Sequence, residues 1–124
     1  MKLGFARNLK SLTAQFREAQ LLGVPLTLHA GEWPERFGSR DNLAWAVNNT
    51  RRVGHAIAVR ADPETLTEAM KKRNITVEVC LTSNIGNGFK VADYSVHPVK
   101  ILHQRGVKFS LSSDNLLLSG KPIN

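Results

Sequence analysis

Residues 25–32, Pro25-Leu26-Thr27-Leu28-His29-Ala30-Gly31-Glu32, hold a short apolar alternation between Gly23-Val24-Pro25 and Gly31. Those boundaries and that length read as a buried β-strand. Where the strand stops it leaves a histidine, two small residues and a carboxylate. In parallel α/β architectures that end of a strand is where reaction sites are built. Two later strand-like runs finish in the same way, one in His55 and one in Asp114. The chain reads as arranged to bring these three ends together.

Working outward, Phe5, Leu9, Leu12, Phe16, Ala19 and Leu22 recur at gaps of three and four, the apolar stripe of a helix. Gly23 stops it. Trp33 to Arg40 reads as a loop, with Asp41 as the N-cap of a second helix carrying Leu43, Ala44, Ala46 and Val47 inward. Arg52-Val53-Gly54-His55-Ala56-Ile57 follows as a second strand. Asp62-Pro63-Glu64 opens a third helix, with Asp at the N-cap and Pro at the first helical position. Leu66, Ala69 and Met70 continue it, and Asn74 caps its end.

Ile75 to Leu81 is β-branched and apolar, a third strand ending in Thr82-Ser83-Asn84, with a Gly- and Asn-bearing loop after it. His97-Pro98 opens a fourth helix stopped by Gly106, and Val107 to Leu111 is the fourth strand, ending in Ser112-Ser113-Asp114-Asn115. Helix and strand thus alternate four times. The strand-to-strand interval, roughly 23 to 32 residues, matches the ~30 of a βα unit. Four units make half of an eight-stranded barrel, for which about 250 residues are needed. A four-stranded open sheet satisfies the same periodicity.

The chain has 124 residues, 42% of them apolar and 22% charged, the composition of one soluble globular domain. A net charge of +7 invites a nucleic-acid reading, but the basic residues are scattered and only 6% of the chain is aromatic. No nucleic-acid partner is expected. Nothing approaches the ~18 consecutive apolar residues of a membrane span, so no membrane partner is expected either. The stretch from Met1 to Arg7 lacks the apolar core of a signal peptide. Cys80 stands alone, which leaves no internal disulfide and no cysteine-based metal site. These features favour a reducing, cytoplasmic setting.

Neutral histidine and ionised aspartate are both good ligands for Zn²⁺. His29 and Asp114 end the first and fourth strands, so one metal touches both if those ends converge. Glu32, three residues past His29, reaches the same ligand; with a raised pKa it can donate a proton to a substrate nitrogen. His55 is suited to orienting or deprotonating a metal-activated water. Singly, each has a plainer explanation. A strand-end histidine is more often a hydrogen-bonded structural residue, Asp before Asn a turn residue, and Glu32 a surface carboxylate. His97 reads as a helix-start residue, His103 as an outward position on the fourth helix, and Cys80 as a buried strand residue.

Together the motifs resemble a family. His29-Ala30-Gly31-Glu32, Arg52-Val53-Gly54-His55, Cys80-Leu81-Thr82-Ser83-Asn84, His97-Pro98 and Ser113-Asp114-Asn115 stand in the order and at the spacing of the adenosine deaminase family. The resemblance covers nearly the whole chain. It implies an α/β fold that is the C-terminal half, strands five to eight, of a zinc-dependent (β/α)₈ barrel, so that residues 1–124 form a partial deaminase domain.

By the same resemblance His29 and Asp114 are zinc ligands, and Glu32 is the acid that protonates N1 of the purine. His55 positions the hydroxide that attacks C6, and Asn115 contacts N7. The implied reaction is hydrolysis of adenosine, or a related purine nucleoside, to inosine and ammonia.

Three departures stand out. Ala56 replaces the usual glycine after His55. Leu81 stands where many members have proline, as in nucleotide-acting relatives with Leu-Thr-Ser-Asn, so an AMP-type or N6-modified AMP substrate is the alternative. Asn115 replaces an aspartate, and its amide can still donate to N7. The larger departure is that the chain contains no His-x-His, the family motif that supplies two more zinc ligands. The chain is therefore expected to be part of a deaminase, with little or no activity alone. Its competitor is a non-catalytic half-barrel that self-associates through the exposed edges of its first and fourth strands.

Overall fold

The computed structural model describes residues 12–33, 38–86 and 91–116. Within them four short strands alternate with helices: β1 (Thr27–Ala30), β2 (Arg52–His55), β3 (Thr76–Val79) and β4 (Lys108–Leu111). The helices are α1 (Thr13–Leu21), α2 (Ser39–Asn49), α3 (Pro63–Lys72), α4 (Leu81–Gly86) and α5 (Val99–Gln104). The strands form one sheet in the order β1-β2-β3-β4, every pair parallel. Each strand pairs with its sequence neighbour and the order never reverses. Right-handed crossovers between such neighbours place the connecting helices on a single face. A doubly wound sheet, whose order must reverse, is thereby excluded.

The register shows why this sequence accepts one covered face. Leu28, Val53, Val77 and Phe109 are successive partners across the sheet and lie on the helix side. There α2 packs against β1 and β2, and α5 against β4. Leu43, Ala46 and Val47 of α2, Leu66 and Met70 of α3, and Leu102 of α5 complete the core. The alternate rows are polar: Thr27, Arg52, Thr76 and Lys108 form one, and His29, Gly54, Glu78 and Ser110 the next. On that face Arg52 Nε pairs with Glu78 Oε1 at 2.8 Å.

Local chemistry sets the helix ends. The Asp62 carboxylate accepts from Thr65 N–H at 3.3 Å and Pro63 takes the first position of α3, as expected. Asn74 ends that helix in the left-handed region at φ 55°. Gly23 does the same for α1 at φ 70°. Among the described residues no helix is long and apolar enough to cross a membrane.

Four expectations need correction. Helix α2 begins at Ser39 rather than after an Asp41 cap; Asp41 sits in its first turn, where its charge favours the amide end of the helix. The third strand stops at Val79, because Leu81-Thr82-Ser83-Asn84 turns into α4 where a loop is expected. The second strand ends at His55, and Ile57–Ala61 is a 3₁₀ helix. The stripe on α1 is only partly sheltered: Phe16 meets Trp45 edge-on at 5.0 Å, whereas Leu22 is exposed. Phe5 and Leu9 lie outside the described residues.

Candidate active site at the strand ends

The C-terminal ends of the strands carry the titratable groups. His29 is the third residue of β1 and projects on the polar, exposed face. Gly31 follows at φ 68°, with Leu43 and Ala58 so close that a Cβ there would lie 3.1 Å from each. That tight turn brings the half-buried Glu32 back toward the sheet. His55 ends β2 at φ 66° and Ala56 continues at φ 53°. Two successive non-glycine residues in this region are strained. The turn they make points the His55 ring across the end of the sheet.

His55 is 2% exposed and is the hub of the site. Its Nε2 lies 3.3 Å from His29 Nδ1 and 3.7 Å from Glu32 Oε1. The two imidazoles meet edge-to-face at 86°, with centroids 4.6 Å apart. On the other side of the ring, Asn84 Nδ2 of α4 donates to His55 Nδ1 at 2.9 Å. The Asn84 side chain reaches on to His97, whose Nε2 is 3.2 Å from Asn84 Oδ1. Asp114, in the left-handed region at φ 60°, accepts from Ser83 Oγ at 2.5 Å.

Among the described residues two groups could hold a metal ion, the ligand atoms of each lying within 4.8 Å of one another: His29, Glu32 and His55 in one, and His55, Cys80 and Asp114 in the other. His29 and Asp114 thus fall in different sets, joined through His55. Cys80 is a weak candidate donor. Burial above all, and then the charge of Asp114, push its thiol up to about 11, so it stays protonated at neutral pH. The nitrogen and carboxylate donors of His29 and Asp114 suit zinc.

Asn115 follows Asp114 and is exposed. His103 lies apart, exposed on α5 and edge-on to Phe109 at 6.5 Å. Sequence reasoning underrated His97. It does precede α5, and Val99 N–H donates to its Nδ1 at 3.0 Å. It is also buried, with its other nitrogen on Asn84. The usable signal was its place beside Pro98 in a motif set, together with an asparagine that no helix-cap role explained.

A family model described as adenosine deaminase matches residues 2–124. Among curated proteins, the adenosine deaminase of Plasmodium falciparum (isolate 3D7) is 34% identical over 115 residues, covering 90% of this chain and 30% of that protein. The adenosine deaminase of Clostridium botulinum (strain Hall) is 33% identical over 107 residues, covering 85% and 30%. The chain therefore spans 30% of the length of these relatives.

Two solved structures share the fold. Arabidopsis ADAL complexed with IMP has a TM-score of 0.76 at 22% identity, over 92% of this chain and 32% of that one. The apo N6-methyl-AMP deaminase of Arabidopsis thaliana has a TM-score of 0.70 at 24% identity, over 85% and 29%.

Proposed function

This chain belongs to the adenosine deaminase family, and from that premise we propose that it supplies strands five to eight of a zinc-dependent (β/α)₈ barrel that hydrolyses adenosine, or a related purine nucleoside, to inosine and ammonia. The observation that carries the reading is the convergence of His29 Nδ1 and Glu32 Oε1 on His55 Nε2, at 3.3 and 3.7 Å. The unreversed strand order, with its polar uncovered face, supports the barrel.

In this reading His29 and Asp114 hold the zinc, with Ser83 orienting the Asp114 carboxylate. Zinc when bound supplies Lewis-acid activation of water near neutral pH. Glu32, half-buried beside His55, donates a proton to N1 of the purine. His55 holds the attacking oxygen over C6, and Asn115 donates to N7. A catalytic zinc normally has three protein ligands and an open position, so the remaining ligands come from a His-x-His segment outside this chain.

A nucleotide substrate is the second reading, favoured by Leu81-Thr82-Ser83-Asn84 and by the likeness to an N6-methyl-AMP deaminase fold. A half-barrel that self-associates is a third; among the described residues β1 and β4 are the edges of the sheet, each with a strand on one side. A cytoplasmic setting accords with the single free thiol of Cys80.

The test is to join the chain to an N-terminal half bearing His-x-His, load it with zinc, and follow the adenine absorbance with adenosine, AMP and N6-methyl-AMP. Zinc-dependent loss of absorbance with adenosine supports the first reading, and loss with a nucleotide alone supports the second. No reaction, together with a zinc-free stable dimer of the chain in sedimentation, supports the third.

A further inference from the structure

One backbone amide determines where the protons sit on three buried side chains. Val99 N–H lies 3.0 Å from His97 Nδ1, and a backbone amide can only donate there. His97 Nδ1 therefore carries a lone pair. Burial pushes the His97 pKa down to about 4, so near neutral pH the ring holds one proton, on Nε2.

That N–H faces Asn84 Oδ1 at 3.2 Å. With its oxygen engaged, the Asn84 amide turns its nitrogen to His55 Nδ1 at 2.9 Å and donates. His55 Nδ1 is thus an acceptor. With Nδ1 accepting, the ring proton sits on Nε2, facing His29 Nδ1 and Glu32 Oε1.

We propose that Asn84 and His97 are positioning residues, which lock His55 in its Nε2–H tautomer so that the ring presents a donor, and no base, to the site. The functional consequence rests on the reading of His55 as a site residue; the tautomer does not. Three separate elements carry the relay: His55 ends β2, Asn84 sits on α4 and His97 precedes α5. All three side chains are buried, so water offers no ready substitute partner. In this form His55 restrains an attacking oxygen by donating to it. Reversing the tautomer requires turning the Asn84 amide, which would set its N–H against His97 Nε2–H.

The test is nitrogen-15 NMR of the imidazoles in the EDTA-treated protein at neutral pH, with His55 assigned by the signals lost in His55→Gln. The expected result is a protonated, pyrrole-type shift at Nε2 and a lone-pair, pyridine-type shift at Nδ1, for both His55 and His97. Asn84→Asp keeps the shape but, ionised, offers only acceptors. It is expected to draw a proton onto His55 Nδ1.

A His55 that carries its proton on Nδ1 in the unaltered protein overturns the proposal. So does an unchanged His55 pattern in a folded Asn84→Asp protein. If that variant does not fold, the spectrum of the unaltered protein decides alone. Neither readout involves deamination, so failure of the deaminase reading and failure of this one are separately visible.

Discussion

The His29 ring lies directly over Gly54. The two residues are register partners on β1 and β2, and a Cβ at Gly54 would stand 2.5 Å from His29 Cδ2 and 3.1 Å from its Nε2. Any side chain at position 54 would displace the ring. The glycine of Arg52-Val53-Gly54-His55 is thus a fitting surface for a histidine on the neighbouring strand, and it leaves the His55 ring room to meet His29 edge-on.

Gly54→Ala follows from this contact. His29 is an exposed side chain that can swing away, so the fold is expected to lose less than about 1 kcal/mol. The site is expected to lose far more. Zinc affinity of the His-x-His-completed protein should drop on the order of 10- to 100-fold, the usual penalty for disturbing ligand orientation. Zinc titration calorimetry beside a thermal melt separates the two effects; a loss in both or in neither contradicts the packing account.

Leu43→Ala tests the core beneath the Gly31 turn. Leu43 is fully buried, and its Cδ2 would lie 3.1 Å from a Cβ at Gly31. Truncation should cost about 3 kcal/mol, through lost burial and a residual cavity. Urea unfolding measures it. A cost well under about 1 kcal/mol would mean that α2 is not seated on β1 as described.

At Ala56 two effects oppose each other. Its φ of 53° costs a non-glycine residue about 1–2 kcal/mol. Glycine would relieve that strain, but it gives up a buried methyl worth about 0.8 kcal/mol and adds roughly 0.5–1 kcal/mol of unfolded-chain freedom. Ala56→Gly should therefore leave stability within about 1 kcal/mol of the parent. A large destabilisation in the same urea experiment would show that the methyl packs more tightly than this.

Acid should weaken the fold through His97. Burial lowers its pKa from 6.5 to about 4, so the unfolded chain takes up the proton first as pH falls. The stability this group contributes is complete above about pH 6.5 and is lost as pH drops toward 4. The slope reaches at most ~1.4 kcal/mol per pH unit for one proton. Unfolding free energies between these limits, compared with His97→Gln, should show a shallower slope in the variant; equal slopes would sink the assignment.

The alternation of four strands with helices was legible because short strand-like runs lie between strong breakers, here Gly23-Val24-Pro25 and Gly106; their order in the sheet was not, since a half-barrel and an open sheet share that periodicity. The start of α3 was legible because Asp62-Pro63 states both the cap and the first turn. Helix α4 was not, since Leu81 extends an apolar run and Ser and Asn favour turns; only the packing of Asn84 against His55 shows why the chain coils there. The position of His29, His55 and Asp114 at or just past strand ends was legible from sequence, but not that His29 and Asp114 fall in different groups joined through His55. The relay from Val99 through His97 and Asn84 joins positions far apart in the chain, and no local pattern encodes it.

If Glu32 and His55 serve one reaction centre, Glu32→Gln in the His-x-His-completed, zinc-loaded protein is the decisive variant. A glutamine keeps the shape and removes the transferable proton, so the adenosine deamination rate is expected to fall at least about 100-fold, the scale of one lost general acid. Zinc content should be unchanged. A variant that deaminates at the parental rate would contradict the account.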